Sequence, residues 1–451
     1  MEQFLLEEEI AKYTSEIDYE SFPEEVINQA RICLLDLVGA ACAGATALPG
    51  HVVTDIIEEA GGNPQAVLIG RKEKVPALSA ALGNGLYAHS LEFDDLHRHS
   101  IFRPGAPIIP PALAAAEKVG ATGKELITAI IAGYEIGIRI AEAMTPTHYS
   151  FWHTTGTCGT FAAAISAAKV MKLGQEQIID AMGHAGTQAA GLMEFHYSAE
   201  GMSSKPLHAS KAAHNGLFSA MLAAGGYTST KSILSGEKGF FKVFAPQANT
   251  DKVIESLGEE YKIMDISYRL YASTRHTHAG IDLGLRLRER GIQPEDIELL
   301  RVQTYGIARE LVGEPFPETV YEAKYSLPFC VSTALVYGHV GIEDFTEERL
   351  HDKTLEELMS HITVEVDPLI DAHYPDKWGA KLNVILKDGT VIHEMTDYPK
   401  GDPENKVSLD DLHNKFRRLS SLLLPPSKIE VWLEQIMKVE SFDDIADMWK
   451  I

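Results

Sequence analysis

The stretch TFAAAISAAKVM, residues 160–171, shows most directly what kind of fold this chain adopts. Its apolar residues recur at helical spacing and predict an α-helix. The small side chains at 162–164 let neighbouring helices approach closely, which suits a tightly packed helical bundle.

Helical patterns of the same kind fill the chain on both sides of this stretch, up to about residue 264. They are rich in alanine and glycine and are separated by short turn signals. The first part of the chain is therefore predicted to be all α. The predicted helices are 26–43, 75–90, 110–119, 124–144, 160–171, 176–191 and 209–224.

The pattern changes near Asp265, where β-type runs begin. The clearest sign is at 381–395, where two apolar runs flank Lys387-Asp388-Gly389-Thr390, because Asp-Gly between such runs is a strong hairpin signal. Further strands are predicted at 297–305 and 362–366, and helices at 280–290 and 327–338. Residues 265–398 therefore form a predicted smaller α+β domain.

Helical patterns return after Gly401-Asp402-Pro403, at 409–424 and 429–439. This tail is too short to fold alone, so we expect it to pack on the first domain. The prediction is a helical domain of residues 1–264 completed by 399–451, with the α+β domain between them.

Composition and charge narrow the classes of protein and partner. The 451 residues are 45% hydrophobic and 23% charged, as in an ordinary globular protein. With 64 acidic and 40 basic residues the formal net charge is -24, which opposes binding to nucleic acid or to anionic lipid. An anionic ligand would need a local cluster of cations.

Cysteines and terminal composition predict a cytoplasmic protein without a membrane span. The N-terminus is acidic where a secretory or organellar signal would be basic. The most apolar stretch, 127–144, contains Glu135 and Arg139 and is expected to be a buried helix. Four scattered cysteines lack CxxC spacing and are expected to be reduced thiols, namely Cys33, Cys42, Cys158 and Cys330.

The densest polar cluster is HSLEFDDLHRH, residues 89–99, followed by Arg103. Imidazole and carboxylate groups suit several divalent ions, but their spacing here matches no familiar metal motif. The cluster could instead be an acid–base wall, in which carboxylates orient His97 while Arg103 binds a substrate carboxylate. A solvated charged loop is the third reading. The carboxylates are Glu92, Asp94 and Asp95.

A second cluster, FWHTTGTCGT at 151–160, is rich in threonine and glycine and precedes an alanine-rich helix. We expect a turn that offers backbone N–H groups to an anion, with His153 at its mouth. His153 could act there as a general acid or base, or it could simply cap or pack against the helix.

Two more basic clusters could bind carboxylates. In Lys205-Pro206-Leu207-His208 the proline disfavours a regular helix at Lys205, which leaves its ammonium on a fixed turn. Residues 268–278 hold Arg269, Arg275 and His276 near the predicted domain junction, where ligand pockets often form. Tyr325, beside Lys324, adds a further candidate. Taken singly, each could be a surface turn or an ordinary ion pair.

Nucleotide-binding and serine-hydrolase motifs are missing from the sequence. There is no GxGxxG after a strand, no GxxxxGK[ST], no HExxH and no GxSxG in a suitable context. We therefore expect an enzyme without a nucleotide or redox cofactor and without a bound metal.

Taken together, these segments resemble the MmgE/PrpD family, which includes 2-methylcitrate dehydratases, cis-aconitate decarboxylases and iminodisuccinate epimerases. The resemblance covers nearly the whole chain. It implies a mainly α fold with a large helical domain and a smaller α+β lid, a pocket between them, and a homodimer. The matching pieces are 89–105, 153–160, Lys205-Pro206-Leu207-His208, Gly239-Phe240-Phe241 and Arg275-His276-Thr277-His278.

The resemblance also implicates particular residues in the pocket. Glu92 and Arg269 stand where the decarboxylase usually has Asp and Lys, whereas His153 and Lys205 match unchanged. The other departures replace His, Thr and His by Arg103, Leu96 and Thr274. These departures favour an acid other than cis-aconitate.

The predicted site follows from the clusters and the resemblance together. The proposed catalytic residues are His153, Lys205, Glu92 and Tyr325. The proposed substrate-binding residues are Arg103, Arg269, Arg275, His276, Thr274, Leu96, Asp94 and His97.

The expected activity is that of a lyase on a small di- or tricarboxylate, by proton transfer next to a carboxylate. Dehydration, decarboxylation and related eliminations all remain open. One alternative is an epimerase of a succinyl-amino-acid-like compound such as iminodisuccinate. Another is a non-catalytic protein that binds carboxylates.

Overall fold

The chain divides into two compact units in the computed structural model, which describes residues 6–144, 147–197 and 203–450. One unit comprises Met1–Ser267 and Ser408–Ile451, and we call it the helical unit. The other, Tyr268–Val407, contains a four-stranded sheet and is called the sheet unit. The fold is mainly α, as predicted.

Helices make up most of the helical unit. Among the residues of this unit that the structure describes, eight α-helices precede the proposed Lys205 segment, two follow it, and two more come from the C-terminal part. Their bounds are α1 Leu6–Glu16, α2 Glu24–Gly44, α3 Leu48–Ala60, α4 Ala77–His89, α5 Gly105–Val119, α6 Gly123–Met144, α7 Thr154–Val170, α8 Gln175–Gly186, α9 Pro206–Ala224, α10 Phe240–Phe244, α18 Leu409–Ser420 and α19 Pro426–Met437.

The centre of the helical unit is α7, which packs against both α6 and α9. A Cβ atom on Gly137 of α6 would lie 2.4 Å from the Cβ of Ala162, and one on Gly216 of α9 would lie 2.3 Å from that of Ala163. Larger residues on either side would push the helices apart. The small side chains therefore allow the close packing that the sequence predicts.

The C-terminal part is attached through a buried ion pair. Lys415 Nζ of α18 lies 2.5 Å from Asp36 Oδ1 of α2 and donates to the Phe93 carbonyl at 2.7 Å. Both charged side chains are 3% exposed. Such a pair is costly to break, because the remaining charge would stay buried without its partner.

Two very short sheets in the helical unit correct the prediction of an all-helical domain. Strand β1, Ala66–Val67, pairs with β2, Lys74–Val75, and β3, Leu96–His97, pairs with β4, Ile266–Ser267. Both pairs are antiparallel. Two-residue strands are too short to show an alternating pattern, so periodicity could not reveal them.

The sheet unit combines seven helices with one sheet. Its strand order is β6-β5-β7-β8, with β5 and β6 parallel and the other neighbours antiparallel. The elements are α11 Arg275–Glu289, β5 Ile297–Thr304, α12 Gly306–Val312, α13 Val320–Ala323, α14 Leu327–Tyr337, α15 Glu347–Leu350, α16 Lys353–Ser360, β6 Ile362–Val366, α17 Pro368–Asp371, β7 Ala380–Leu386 and β8 Val391–Thr396.

The predicted hairpin is confirmed as β7 and β8. Gly389 has φ +87°, which glycine adopts without steric cost, and Asp388 accepts a hydrogen bond from the backbone of Thr390 at 2.8 Å. Other predicted elements exist with shifted ends. Helix α7 begins at Thr154 rather than 160, α8 ends at Gly186 rather than 191, and α11 begins at Arg275 rather than 280.

Of the described helices, one is long and apolar enough to cross a membrane by length and composition alone. It is α2, Glu24–Gly44, and 83% of its most apolar window is buried against the rest of the chain. Such burial is typical of a core helix.

Candidate functional site

His153 stands at the N-terminus of α7 as its capping residue. Its backbone N–H donates to the Gly191 carbonyl at 2.8 Å, and its side chain is buried. The threonine- and glycine-rich segment after it was predicted as a turn, but this prediction was wrong. The segment forms the first turns of α7, because alternating small residues still allow helical hydrogen bonding.

Three imidazoles lie together around His153. Its Nδ1 is 3.0 Å from the Nδ1 of His208, so one of these two nitrogens carries the shared proton. The ring of His89 lies nearly parallel to that of His153, with ring centres 5.8 Å apart. Phe195 contacts both His153 and His208, at centroid distances of 5.5 and 5.3 Å. The phenyl ring closes one side of this imidazole cluster.

The surroundings keep His153 and His208 neutral. Burial lowers the pKa of His153 well below its usual value, and the neighbouring His208, His89, Lys205 and Arg103 lower it further. Burial, His89 and Lys205 lower the pKa of His208 to about 4. At neutral pH both rings are therefore neutral, and the ring that donates the shared proton keeps a free lone pair on its Nε2, which can accept a proton.

A buried ion pair lies beside the imidazole cluster. Lys205 Nζ is 2.5 Å from Glu92 Oε1, and the two side chains are 8% and 2% exposed. Lys205 caps α9, with Pro206 at its first position. Lys205 itself has helical φ and ψ, although a following proline disfavours them, so the expectation of a non-helical turn at Lys205 was wrong.

Glu92 adopts a strained backbone conformation. Its φ is +62°, in the left-handed region, which costs a residue with a Cβ about 1 to 2 kcal/mol. Strain of this kind is often kept at functional sites, where the side chain must be held in one place. Here it brings the carboxylate to Lys205.

Arg103, Tyr149 and His196 complete the surroundings of this ion pair. Burial and Glu92 raise the pKa of Tyr149 while Arg103 lowers it, so both charges are near the phenol. Burial and Lys205 lower the pKa of His196, and Glu92 opposes this effect. The Arg103 backbone donates to Thr155 Oγ1 at 3.2 Å, which ties this residue to the start of α7.

The remaining carboxylates of the 89–99 segment hold other groups. Asp94 Oδ2 lies 2.6 Å from the Nδ1 of His89. Asp95 accepts from the Tyr134 hydroxyl at 2.6 Å and from the Gly105 backbone at 2.9 Å. Burial raises the pKa of Asp95 to about 7, although the hydrogen bond from Tyr134 lowers it.

Two predicted substrate-binding residues of the helical unit belong to other surroundings. Leu96 is a buried residue of β3. His97 binds Ser100 through Nδ1 at 2.8 Å, and its Nε2 lies 3.7 Å from Glu142. His97 is thus part of a separate polar group that supports the β3 turn.

In the sheet unit, the predicted substrate ligand Arg275 is the centre of a hydrogen-bonded network. Its guanidinium donates to the carbonyls of Tyr268, Lys400 and Pro399 and forms a buried ion pair with Asp402. These bonds join the start of α11 to the loop after β8, which is a structural role. A role in substrate binding stays a prediction.

The other predicted residues of the sheet unit are also buried or packed. Thr274 caps α11 and donates its N–H to the Lys324 carbonyl at 3.1 Å. His276 binds the Tyr305 hydroxyl at 2.7 Å and stacks on Trp378. Arg269 is fully buried and Tyr325 is 7% exposed.

The structure adds site residues that the sequence prediction left out. His89 and His208 belong to the sequence motifs but have no predicted role, and the prediction does not include Tyr149 or Phe195. His208 lies three residues after Lys205 on one face of α9, a helical spacing that could have suggested it. No local signal places Tyr149 or Phe195 there, because both lie in short 3₁₀ helices, which leave no extended periodic pattern in the sequence.

Two further polar features lie outside the imidazole cluster. Among the described residues, one group has metal-ligand spacing, His339, Glu343 and Asp344, but two of its members are exposed and Arg349 lies beside Asp344. A cavity of about 400 Å³ in the helical unit is lined by three lysines that bind neighbouring oxygens. These lysines are Lys124, Lys169 and Lys172, bound to Glu20, the Ser15 carbonyl and Glu125.

Comparison with known proteins supports the resemblance along the chain. The model of the MmgE/PrpD N-terminal domain matches residues 8–252, and that of the MmgE/PrpD C-terminal domain matches residues 271–440.

Several curated proteins align over nearly the full chain. A cis-aconitate decarboxylase-like protein of Aspergillus oryzae is 25% identical, over 98% of this chain and 95% of its own. The cis-aconitate decarboxylase of Mus musculus is 24% identical, over 94% and 89%. A 2-methylcitrate dehydratase of Cupriavidus necator is 23% identical, over 88% and 87%.

Proposed function

Because the chain belongs to the MmgE/PrpD family, we propose that it is a cofactor-independent lyase acting on a small di- or tricarboxylate. The reaction would move a proton at the carbon next to a carboxylate. One observation carries the proposal, namely the neutral, buried His153 beside the cations Lys205 and Arg103.

His153 is the proposed proton-transfer group. Proton abstraction needs a base that is neutral near pH 7, and the lowered pKa of His153 supplies one. The contact with His208 decides which nitrogen of His153 can act as the base. If the Nδ1 of His153 carries the shared proton, its Nε2 is the free nitrogen. A positioned base of this kind typically contributes about 10²- to 10⁴-fold to the rate.

Lys205 and Arg103 are the proposed carboxylate ligands. When a proton leaves the carbon next to a carboxylate, negative charge develops on the carboxylate oxygens, and fixed cations stabilise it. The protein carries a formal net charge of -24, so these cations are a local exception. Glu92 neutralises Lys205 in the absence of substrate and holds its ammonium in place.

Further assignments remain proposals of the same kind. Arg269 and Arg275 are both candidates for a second carboxylate of the substrate, and Arg275 would bind it in addition to Asp402 and three backbone carbonyls. Thr274, His276 and Tyr325 are further candidates. A homodimer in the cytoplasm also stays a prediction, which light scattering of the purified protein and localisation of a tagged chain would test.

The choice of acid rests on two observations that point in different directions. The first relatives above are named for cis-aconitate. The chain nevertheless has Arg103 and Leu96 where the decarboxylase pattern has His and Thr. An added cation favours an acid with several carboxylates, so citrate and 2-methylcitrate are tested together with cis-aconitate.

The experiment is incubation of the full chain in D2O with each acid, followed by ¹H NMR. We expect deuterium at the carbon next to a carboxylate, together with an elimination or decarboxylation product, for at least one acid. N-succinyl amino acids complete the panel, and exchange with inversion but without elimination would instead indicate an epimerase. Neither exchange nor product from any acid would contradict the proposal. His153→Gln is the negative control and His51→Gln, an exposed histidine, the neutral one.

A further inference from the structure

His89 and Asp94 form a buried carboxylate–imidazole dyad next to the proposed base. Asp94 Oδ2 and His89 Nδ1 are 2.6 Å apart, and the two side chains are 1% and 0% exposed. A carboxylate accepts only, so the Nδ1 of His89 carries a proton. The same arrangement orients the histidine of serine hydrolases and stabilises its imidazolium form.

The other ring nitrogen of His89 has no hydrogen-bond partner within the part of the chain that the structure describes. A buried polar atom without a partner costs free energy, and native proteins usually avoid it unless the atom has a function. With Nδ1 held by Asp94, this nitrogen is the one that can exchange a proton with a bound molecule.

The positions of His89 and His153 suit two groups that act on one molecule. Their rings are nearly parallel, with centres 5.8 Å apart. Their surroundings differ, since Lys205 and Arg103 lie near His153 whereas a carboxylate binds His89 directly. The first environment favours a neutral base, and the second orients the His89 ring with its Nδ1 as the donor to Asp94.

We propose that the Asp94–His89 dyad is the general acid of this site, with His153 as the base. The inference rests on the proposed function and assigns a second catalytic residue to it. His153 takes the proton, the C–H electron pair forms the new C=C bond, and the leaving hydroxyl receives a proton from the His89 imidazolium and departs as water. The protonated His153 then releases a proton to solvent and His89 takes one up from solvent, which restores both rings.

This assignment narrows the reaction class. Elimination of water needs an acid for the leaving group as well as a base for the carbon, and the site has both. The substrate is therefore a hydroxy polycarboxylate, and the product is an unsaturated one. The reaction that supplies the substrate must be one that makes a tertiary or secondary alcohol next to carboxylates, such as an aldol-type addition to an oxo acid.

The test compares hydrogen exchange with turnover in the full chain, using citrate and 2-methylcitrate in D2O. His89→Asn keeps an amide N–H near the position of Nδ1 for Asp94 but removes the second ring nitrogen. We expect this variant to lose at least 100-fold in dehydration while it keeps deuterium exchange within about fivefold of the unaltered chain. His153→Gln should lose both activities, and His51→Gln neither.

Two results would overturn the assignment. Dehydration within threefold of the unaltered chain would show that His89 is not the acid. Equal losses of exchange and dehydration in a folded His89→Asn protein would show that the dyad only supports the structure. If His89→Asn does not fold, Asp94→Asn serves in its place, because it retains the imidazole and should also reduce dehydration more than exchange.

A spectroscopic measurement separates this inference from the proposed function. In ¹⁵N-histidine-labelled protein, the Nδ1 of His89 should be protonated at every pH at which the protein is folded. A neutral His89 with its proton on the other nitrogen would overturn the dyad even if the chain is a lyase. If instead no acid reacts but His89 has the expected tautomer, the proposed function fails and the geometry of the dyad stands.

Discussion

Two buried networks of charged and titratable groups, one in each unit, differ in how fully their polar atoms are bonded. In the sheet unit, Arg275 binds Asp402, three backbone carbonyls and the Nδ1 of His278. In the helical unit, the imidazole cluster around His153 includes a His89 nitrogen without a partner among the residues the structure describes. The Arg275 network is saturated, and the imidazole cluster is not.

The difference separates structural from chemical roles for the same kinds of residue. A saturated guanidinium holds chain segments together and has few donors left for a ligand. Burial and nearby cations keep the imidazoles of His153 and His208 neutral. A neutral imidazole retains a lone pair that can accept a proton. From sequence, both clusters were equally good candidates for substrate binding.

The largest expected effect concerns the imidazole cluster. His153→Gln should reduce turnover by about 10²- to 10⁴-fold, because it removes a positioned base while keeping a polar side chain. Steady-state kinetics on the acid found by NMR would measure this. Denaturant unfolding should show little change, and unchanged kinetics would remove His153 from the chemistry.

Substitutions in the Arg275 network should lower the stability of the protein. Arg275→Met leaves Asp402 buried without its partner and should reduce the free energy of unfolding by about 3 to 5 kcal/mol. Adding Asp402→Asn should recover part of this loss, since no charge is then left alone. Urea denaturation followed by circular dichroism measures both variants.

A matched control for this network lies in the same unit. Arg290 forms an ion pair with Glu394 at the surface, with the arginine side chain 51% exposed. Arg290→Met should cost less than about 1 kcal/mol, because water screens the pair. If Arg275→Met costs no more than this control and instead weakens binding of the acid, Arg275 is a substrate ligand and the comparison is wrong.

We expect part of the loss of stability at low pH to arise in the helical unit. His148 is a buried histidine of this unit and lies outside the proposed chemistry. Burial lowers its pKa to about 4, so the unfolded chain binds the proton first as pH falls. Above about pH 6.5 the titration of His148 does not reduce the free energy of unfolding. Between about pH 6.5 and 4 it reduces this free energy by about 3 kcal/mol in all.

His148→Gln tests this expectation, because Gln can keep the hydrogen bond to Thr157 without titrating. The difference in unfolding free energy between variant and unaltered chain should narrow over this pH window. The pKa of Asp95 is raised to about 7, so protonation of Asp95 stabilises the folded protein as the pH falls. This effect is the same in the variant and the unaltered chain and cancels in the difference. A difference that does not change with pH would contradict the expectation.

The smallest effect concerns the partner of His153. His208→Leu removes the nitrogen 3.0 Å from Nδ1 of His153 and should reduce turnover by about tenfold, or 1.4 kcal/mol, because the ring loses its fixed tautomer. His208→Asn places an amide near the same position and should recover most of that loss. Equal losses in the two variants would indicate packing rather than positioning.

Much of the fold could be predicted because helices and hairpins leave local patterns. Helix α6, the Asp388-Gly389 hairpin and strand β6 follow from side-chain period and turn residues alone. The short strand β3 could not be predicted, since pairing with Ile266–Ser267 depends on a segment about 170 residues away. Element ends shifted where capping residues, such as His153, gave no clear local signal.

The candidate site was predicted in part. His153, Lys205, Glu92 and Arg103 came from dense polar motifs and from the family resemblance, and the helical unit places all four in one neighbourhood. His97 came from the same motif but points into a different polar group with Ser100. Residues two or four apart in an irregular segment face different neighbours, and only the folded backbone decides which.

By itself, then, the sequence determined the mainly α class and the residue types available for carboxylate chemistry. These properties depend on periodicity, composition and turn residues, which act over a few residues. The tertiary structure alone decided which charged groups saturate one another and which imidazoles meet. Bond partners of buried side chains come from distant segments, as His153 with His208 or Arg275 with Asp402, so no local pattern records them.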